Sequence, residues 1–455
     1  MNLGTNNKIQ KKGITLVIPN PCGNIKETKM KNSGIEWIGE IPDDWESIRL
    51  KYIYSTTKAK LPKQFYDDKN LTPYLSMDFI RDSINTEPVY AKDGDYCSEE
   101  DILILWDGSN AGEIVFNHPA GYAPSTTAIL KKLSTQSLPV YDKFYLKALE
   151  DDLRRNTNGM GIPHVNGSYL NNSLFLLPPK STQQCIATYL DKKCSKIEET
   201  IQNQQQVIEK LKAYKQSLIT EAVTGKVKIE NGKVCGEYES YKDSGVEWIG
   251  KIPSGWEVKK LKYIADSFSK GSGITKEEIV INGDTPCVRY GELYTKYDYH
   301  FTECQTRTNL GIIETPKYFS HGDVLFTCTG ELVEEIGKSI AYLGNEKCLA
   351  GGDIIVLKHS QDPMFMGFAL DSKYVQGQKS FGKTKLKVVH ISSGEIARLL
   401  IVLPPKEEQK EIADYLDKKC TAIDTVIEQK QSLIEKLTEY KKSLIYECVT
   451  GKKEI

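Results

Sequence analysis

The stretch Leu177–Gly225, which begins LPPKSTQQCIATYLDKKCSKIEETI and ends SLITEAVTG, returns 226 residues later as Leu403–Gly451, which begins LPPKEEQKEIADYLDKKCTAIDTVI and ends SLIYECVTG. The two copies are identical at 29 of 49 positions. Leu-Pro-Pro cannot lie inside a helix, and the closing glycine is typical of a helix C-terminus. Because neither Pro nor Gly interrupts the residues between, each copy predicts one helix about 60 Å long.

Both copies carry a heptad pattern, because seam residues recur at alternating spacings of four and three. The seam of the first copy is Leu190, Ile197, Ile201, Gln204, Ile208, Leu211 and Leu218. The seam of the second copy is Leu416, Ile423, Ile427, Lys430, Ile434, Leu437 and Leu444. We expect the two helices to pair as an antiparallel coiled coil about an approximate twofold axis. Gln204 and Lys430 then meet near the centre, either as a polar register pin or at the solvated edge of the seam.

A shorter box precedes each insert. Lys31–Ile53 (KNSGIEWIGEIPDDWESIRLKYI) and Lys242–Ile264 (KDSGVEWIGKIPSGWEVKKLKYI) are identical at 15 of 23 positions. The residues between each box and the following helix do not align with each other. The boxes and helices, which we call the frame, are similar in the two copies, whereas the inserts differ. This pattern is expected when the frame binds the same partner twice and each insert binds a different ligand. The tryptophans of the boxes (Trp37, Trp45, Trp248 and Trp256) are predicted to pack in the core, with partner docking as the second possibility.

Both inserts mix short apolar strands with turns, as in DILILW at 101–106, which is typical of compact α/β globules. The predicted fold class is therefore α+β, with two α/β domains separated by two long helices and duplicated about a pseudo-twofold axis. The predicted segments are a flexible leader (1–29), a first domain (30–176), a central helix (177–227), a linker (228–241), a second domain (242–402) and a C-terminal helix (403–455).

Composition excludes several classes of protein. Lys plus Arg number 60 and Asp plus Glu 61, so net charge gives no support for coating a polyanion. No apolar run approaches the roughly 20 residues of a membrane span, and a cytoplasmic location is expected. The eleven cysteines form no CxxC pair and the six histidines lack ligand spacing, so neither a metal site nor a disulfide framework is predicted. Gly337-Lys338-Ser339 resembles the end of a P-loop, but Leu332 replaces its first glycine.

The order of box GIEWIGEIPDDW, insert, helix, box GVEWIGKIPSGW, insert and helix resembles the specificity subunit of type I DNA restriction–modification enzymes, over about residues 31 to 453. The resemblance implies that each insert is a target recognition domain for one half of a bipartite, asymmetric site in double-stranded DNA, with the helices setting the spacer. It implies docking of two modification (methyltransferase) and two restriction (translocase-nuclease) subunits. S-adenosylmethionine, ATP and Mg²⁺ would be bound by those partners, with no cofactor and no catalysis in this chain.

Three alternatives stay open at this stage. The chain could be a methyltransferase or nuclease in its own right, although catalytic motifs are missing. It could be a coiled-coil scaffold whose domains bind ligands other than DNA. It could also be the specificity subunit of a related methylation-only or fused restriction system.

The candidate DNA-binding residues are lysines beside proline or glycine turns, together with Arg, which suits guanine, Asn, which suits adenine, and neighbouring polar or aromatic residues. In the first insert they are Lys58, Lys60, Lys63, Trp106, Ser109, Asn110, Arg154, Arg155, Asn156 and Asn158. In the second insert they are Lys270, Ser272, Arg289, Tyr290, Tyr294, Lys296, Lys383 and Lys385. For each of them the alternative is an ordinary solvated surface residue.

Overall fold

The computed structural model describes residues 29–82, 85–159, 161–384 and 388–455. The predicted leader therefore lies outside the described residues, except for Lys29. The chain divides into two compact units. Unit 1 comprises residues 1–203 and 433–455, and unit 2 comprises residues 204–432. Both units mix strands with helices, which confirms the α+β class.

Unit 1 holds the first insert. Its strands are β1 (Met30–Asn32), β2 (Glu40–Pro42), β3 (Glu46–Arg49), β4 (Tyr54–Lys58), β5 (Phe65–Tyr66), β6 (Thr72–Tyr74), β7 (Val89–Ala91), β8 (Tyr96–Cys97), β9 (Ile102–Leu105), β10 (Ile114–Val115), β11 (Gly121–Tyr122), β12 (Thr127–Lys132) and β13 (Leu174–Leu177). Its helices are α1 (Met77–Arg81), α2 (Pro139–Arg155), α3 (Gly167–Asn172) and the first part of α4 (Lys180–Val223). One sheet has the order β10-β9-β12-β4 and a second the order β5-β7-β6-β11-β8.

Unit 2 holds the second insert. Its strands are β14 (Lys228–Glu230), β15 (Lys233–Gly236), β16 (Tyr241–Asp243), β17 (Lys251–Pro253), β18 (Glu257–Lys260), β19 (Ala265–Lys270), β20 (Thr285–Val288), β21 (His300–Phe301), β22 (Thr306–Thr308), β23 (Tyr318–Phe319), β24 (Val324–Thr327), β25 (Thr329–Gly330), β26 (Ser339–Tyr342), β27 (Cys348–Ala350), β28 (Ile354–His359), β29 (Val389–His390) and β30 (Leu400–Leu403). Its helices are α5 (Tyr290–Thr295), α6 (Pro363–Asp371), α7 (Lys373–Ser380), α8 (Ser393–Ile396) and the first part of α9 (Lys406–Val449). The residues expected to form a linker include the β14–β15 hairpin.

The two inserts share one topology, although their sequences do not align. The order β4-β12-β9-β10 in unit 1 corresponds to β19-β28-β24-β26 in unit 2. In the second sheets, the parallel pair β6–β11 corresponds to the parallel pair β20–β27. The central strands β9 and β24 are buried along their whole length, because helices and a second sheet cover their faces. The inserts therefore conserve strand pairing and burial, and their residues differ.

The two predicted helices are present as α4 and α9, each 44 residues long. At their starts, the buried side-chain amides of Gln183 and Gln409 donate to the carbonyls of Pro178 and Pro404, both at 2.8 Å. Each helix ends before a glycine at positive φ, 70° at Gly225 and 71° at Gly451. A length of 44 residues corresponds to about 66 Å.

The helices pair antiparallel within unit 2. Gln204 accepts a hydrogen bond from Lys430 Nζ (2.9 Å), and Lys215 Nζ lies 2.7 Å from both carboxylate oxygens of Asp424. Positions rise along α4 while their partners fall along α9, so the helices run in opposite directions, as predicted. The meeting of Gln204 with Lys430 is confirmed, and their function as a register pin stays a prediction.

Unit 1 holds the corresponding contacts at the other ends of the helices. Glu198 of α4 forms an ion pair with Lys441 of α9. Positions 198 and 441 lie 226 residues from 424 and 215, so each unit carries one copy of the same pair. Seam residues of both helices are buried together, among them Leu190 and Leu444. A repeated interhelix contact is what a duplicated frame requires.

The boxes form the seats of the helix ends. Trp45 and Trp256 are buried in the cores of units 1 and 2, as predicted. Trp37 is half-buried against Tyr446, with ring centroids 6.0 Å apart. Trp248 is 51% exposed, so the prediction of core packing is wrong for this residue. Its ring lies against Tyr374 at the surface (5.7 Å) and does not enter the core.

Candidate nucleic-acid interface

Polar side chains gather where β4 and β9 end in unit 1. Lys58 is the last residue of β4, and Trp106 and Asp107 directly follow β9. A third segment joins them, because His164 forms backbone bridges with both Asp107 and Asn158. We call these five residues cluster 1. The structure thus brings together three predicted residues, Lys58, Trp106 and Asn158, that lie far apart in sequence.

The charges of cluster 1 are centred on Asp107. Lys58 forms an ion pair with Asp107 Oδ2, and His164 Nδ1 lies 2.6 Å from Oδ1. Partial burial alone would raise the pKa of Asp107, but the hydrogen bonds from Lys58 and His164 outweigh this effect and hold the pKa below its usual value. Lys58 Nζ also lies 6.0 Å from the centroid of the Trp106 ring. The cluster is half-open to solvent, so a ligand can reach it.

The other candidates of the first insert are divided between two places. Lys60 and Lys63 have exposed side chains, and their backbone amides donate to Asp95 and Asp93. The loop residues are Ser109, which is exposed, and Asn110, which is half-buried. These four residues remain available at the surface.

The last candidates of this insert lie at the end of α2. Arg155 and Asn156 line a cavity of about 700 Å³ together with Trp37. The side-chain amide of Asn156 donates a hydrogen bond to the carbonyl of Asp152 (2.8 Å). This bond caps the C-terminal end of α2. Arg154 is exposed. Both arginines therefore lie at the C-terminal end of α2.

A corresponding group lies at the same edge of the sheet in unit 2. Lys270 is exposed at the end of β19, and Thr329 Oγ1 lies 3.2 Å from His390 Nδ1. These three residues, together with Asp353, line a cavity of about 410 Å³. We call the three residues Lys270, Thr329 and His390 cluster 2.

Three further candidates of the second insert line a neighbouring cavity of about 740 Å³, which also touches Lys270. They are Arg289, Tyr290 and Lys296. Lys296 Nζ donates to Glu292 (2.9 Å), and the side chain of Tyr290 is exposed. The Nε atom of Arg289 is buried without a hydrogen-bond partner among the described residues. A buried guanidinium nitrogen without a partner is costly, which is consistent with a ligand in this cavity.

The surroundings of Ser272 and Tyr294 argue against direct contact with a base. Ser272 is only 3% exposed, and its hydroxyl donates to the Thr315 carbonyl (2.8 Å) and accepts from the Lys317 amide (2.6 Å). The Tyr294 hydroxyl bonds to Thr327 (2.7 Å), and burial raises its pKa to about 12. Both hydroxyls are engaged within the protein.

The last two candidates follow α7. Lys383 Nζ donates to Glu395 (2.8 Å) and to the carbonyl of His390 (2.6 Å). Burial opposes ionisation of Glu395, but hydrogen bonds from Lys383 and Ser392 lower its pKa to about 2. Lys383 therefore supports cluster 2 through hydrogen bonds within the protein. Lys385 lies outside the described residues.

Asp107, His164, Thr329 and His390 are the residues that sequence reasoning missed. One signal for them exists, because His164 and His390 are 226 residues apart, the same offset as the helices. The residues two positions later, Asn166 and Ser392, cap α3 and α8 through their side chains. The repeat thus begins thirteen residues before Leu177.

Two other kinds of site are absent from the described part of the chain. It contains no group of three His, Cys, Asp or Glu side chains arranged to hold a metal ion. None of its helices is long and apolar enough to cross a membrane.

Comparison with known proteins identifies a matching family and several relatives of this chain. The family model of the "Type I restriction modification DNA specificity domain" matches residues 42–213 and 253–436. The chain is 29% identical over 403 residues to the type I restriction enzyme MjaVIII specificity subunit of Methanocaldococcus jannaschii, covering 86% of this chain and 88% of the relative. It is 21% identical to the EcoBI specificity subunit of Escherichia coli, covering 89% and 85%.

A solved structure shares the fold. The chain superimposes with a TM-score of 0.64 and 15% identity on a chain from a study of complex assembly and conformational transition of the type I restriction–modification system. The match covers 91% of this chain and 99% of the solved one.

Proposed function

Because the chain belongs to the family of type I restriction–modification DNA specificity domains, we propose that it gives a type I complex its DNA sequence specificity. In this proposal each insert reads one half of a bipartite, asymmetric site in double-stranded DNA. The observation that carries the proposal is that the two inserts share one topology but have different residues at corresponding places. Two domains with the same topology and different surface residues suit two half-sites of different sequence.

The helices set the distance between the half-sites in this proposal. Two half-sites one turn of DNA apart are about 34–36 Å apart, well within the length of α4 or α9. Interhelix contacts repeated in each unit, such as Lys215–Asp424 and Glu198–Lys441, suit a rigid spacer. A rigid spacer fixes the number of base pairs that are not read.

The frame docks the partner subunits in this proposal, two for modification and two for restriction. Repeated residues that stay exposed support it, because a partner that binds twice needs the same surface twice. Tyr52 and Tyr263 hold matching places in the two boxes and are 58% and 70% exposed. Exposed tyrosines are frequent anchors of protein interfaces. The chain itself performs no catalysis in this proposal, and its partners supply S-adenosylmethionine, ATP and Mg²⁺ chemistry in the cytoplasm.

Methylation mapping tests the proposal. Cells carrying this chain and its modification partner should methylate a two-part motif with a fixed spacer, and cells carrying the partner alone should not. Co-purification with wild-type chain, compared with a Tyr52→Ala/Tyr263→Ala variant, tests the docking surface independently. An active partner that yields no two-part motif would overturn the function, and methylation of DNA by the purified chain alone would overturn its non-catalytic role.

A further inference from the structure

Clusters 1 and 2 occupy the same place in the two recognition domains. Lys58 lies opposite Ala128, the second residue of β12, and Lys270 lies opposite Ile355, the second residue of β28. A bulge in β19 between Ala265 and Ser267 adds one residue. The place of Lys58 is therefore taken by Lys270 and not by Ser269, which is where the offset of the boxes alone would put it.

The partners of these lysines correspond as well. Leu105 lies opposite Thr127, the first residue of β12, and Thr327 lies opposite Ile354, the first residue of β28. Two residues further along, Asp107 and Thr329 are therefore equivalent. Each of them contacts a histidine, at 2.6 Å for His164 and 3.2 Å for His390. Each domain thus presents a lysine, a histidine and a third residue that differs.

Stability of the fold does not explain the lysine and histidine. In unit 1 they form an ion pair and a hydrogen bond with Asp107, but unit 2 keeps both residues with a threonine in its place. Within the described part of the chain, Lys270 has no ion pair. The residues that are kept are hydrogen-bond donors at the surface, which suit the phosphate groups common to every sequence.

We propose that Lys58 with His164, and Lys270 with His390, hold the DNA backbone at corresponding places of the two half-sites, while Asp107 and Thr329 choose the base there. This inference rests on the proposed function. An ionised carboxylate only accepts hydrogen bonds, and each oxygen of Asp107 has a second lone pair free beside its bond to Lys58 or His164. It therefore favours the amino group of cytosine, whereas the methyl group of Thr329 favours the methyl group of thymine.

Exchange of the third residue tests the choice of base. Asp107→Asn keeps the shape of the side chain and adds a donor, so one half-site should shift its preference from cytosine to adenine by about tenfold. Thr329→Asp should raise acceptance of cytosine in the other half-site only. The measurement is the methylated motif, or the sequences bound from a random DNA library, for the complex with its modification partner. Asp191→Asn is the matched control, because Asp191 also pairs with a lysine of unit 1 (Lys143, 2.7 Å) but lies on α4.

Removal of the constant residues tests the backbone contact. His164→Ala and Lys270→Met should weaken DNA binding severalfold for all sequences without changing the motif. Lys270→Met should also reduce the slope of log affinity against log salt concentration by about one. Unchanged base preference in both Asp107→Asn and Thr329→Asp would overturn the inference. A lower unfolding temperature for Asp107→Asn with unaltered DNA affinity for His164→Ala would assign the clusters to stability and also overturn it. Absence of any two-part motif in the wild-type complex would instead refute the proposed function.

Discussion

The frame and the inserts of this chain were duplicated together, yet they kept different things. The frame kept residues: the helix copies share 29 of 49 positions, and the pair Lys215–Asp424 in unit 2 has its counterpart Glu198–Lys441 in unit 1. The inserts kept strand order and changed their residues, even at corresponding places such as Asp107 and Thr329. The difference teaches that residues are conserved between the copies where the helices contact each other, whereas the inserts conserve only their topology.

The largest effect is expected where the frame is tightest, at the ends of the helices. A Cβ added at Gly225 would lie 2.3 Å from Cδ of Pro253, and one at Gly451 would lie 2.4 Å from Cδ of Pro42. Positive φ adds strain, so Gly225→Ala and Gly451→Ala should each cost about 3 kcal/mol. Thermal unfolding should begin roughly 6–12 °C lower.

Gly232 offers the matched control for this prediction. It lies in the same unit as Gly225 and has nearly the same φ, 71° against 70°, but a Cβ there would have no atom within 4 Å. Gly232→Ala should therefore cost only the backbone strain, about 1–2 kcal/mol. Equal decreases in unfolding temperature for Gly225→Ala and Gly232→Ala would contradict this prediction. They would show that the box does not pack closely against the end of α4.

The repeated ion pairs should differ in strength, because they differ in burial. The side chain of Lys215 is 10% exposed, while that of Lys441 is 29% exposed. Asp424→Asn leaves a buried ammonium whose remaining carboxylate partner among the described residues is Asp298 (3.7 Å), and it should cost about 1–2 kcal/mol. Glu198→Gln should cost less than about 1 kcal/mol, and less still at high salt. Unfolding temperatures at two salt concentrations measure both, and equal costs would contradict the ranking by burial.

These contrasts also show what sequence alone could predict. The heptad spacing and the Leu-Pro-Pro and glycine boundaries are local signals, and they predicted α4 and α9; the antiparallel pairing followed from the duplication and its approximate twofold axis. The shared topology of the inserts depends on pairings between short strands far apart in sequence, such as β4 with β12, which no local pattern records. The equivalence of Lys58 with Lys270 was hidden by one bulge residue. Burial decided the rest, since Ser272 and Tyr294 resemble surface residues in sequence but bond inside the protein.

The inserts should respond differently to acid. The corresponding strands β12 and β28 end at different residues: β12 ends at Lys132, which forms an ion pair with Asp142, and β28 ends at His359. Burial lowers the pKa of His359 to about 4 from the usual 6.5. The unfolded chain therefore binds the proton first, so the stability that His359 contributes is complete above about pH 6.5 and is lost as the pH falls towards 4.

His359→Gln should remove this dependence. Between pH 7 and pH 5 the wild-type protein should lose about 4–7 °C more in unfolding temperature than the variant does. The remaining carboxylates titrate in both proteins and cancel in the difference. Lys132→Gln is the comparison for unit 1 and should lower stability at every pH in this range, because it removes a charge partner of a buried carboxylate. Parallel pH profiles for wild type and His359→Gln would contradict the assignment.

The smallest effect is expected at the one place where the two helix copies meet residue for residue. Gln204 and Lys430 are equivalent positions, so their hydrogen bond joins each residue to its own counterpart. Replacing both with Leu removes a polar contact from an apolar seam and should raise stability by less than about 1 kcal/mol, while the helices lose their unique register. Register is measured by cross-linking a cysteine at position 215 with one at position 424 and, in separate variants, with one at position 417 or 431, where cross-linking of a second pair reports slippage by one heptad. Gln205→Leu/Gln431→Leu is the control, because these identical, exposed neighbours lie off the seam. If the Leu pair at 204 and 430 keeps one register and is less stable, the hydrogen bond is an ordinary stabilising contact, and the frame takes its alignment from the boxes that seat the helix ends.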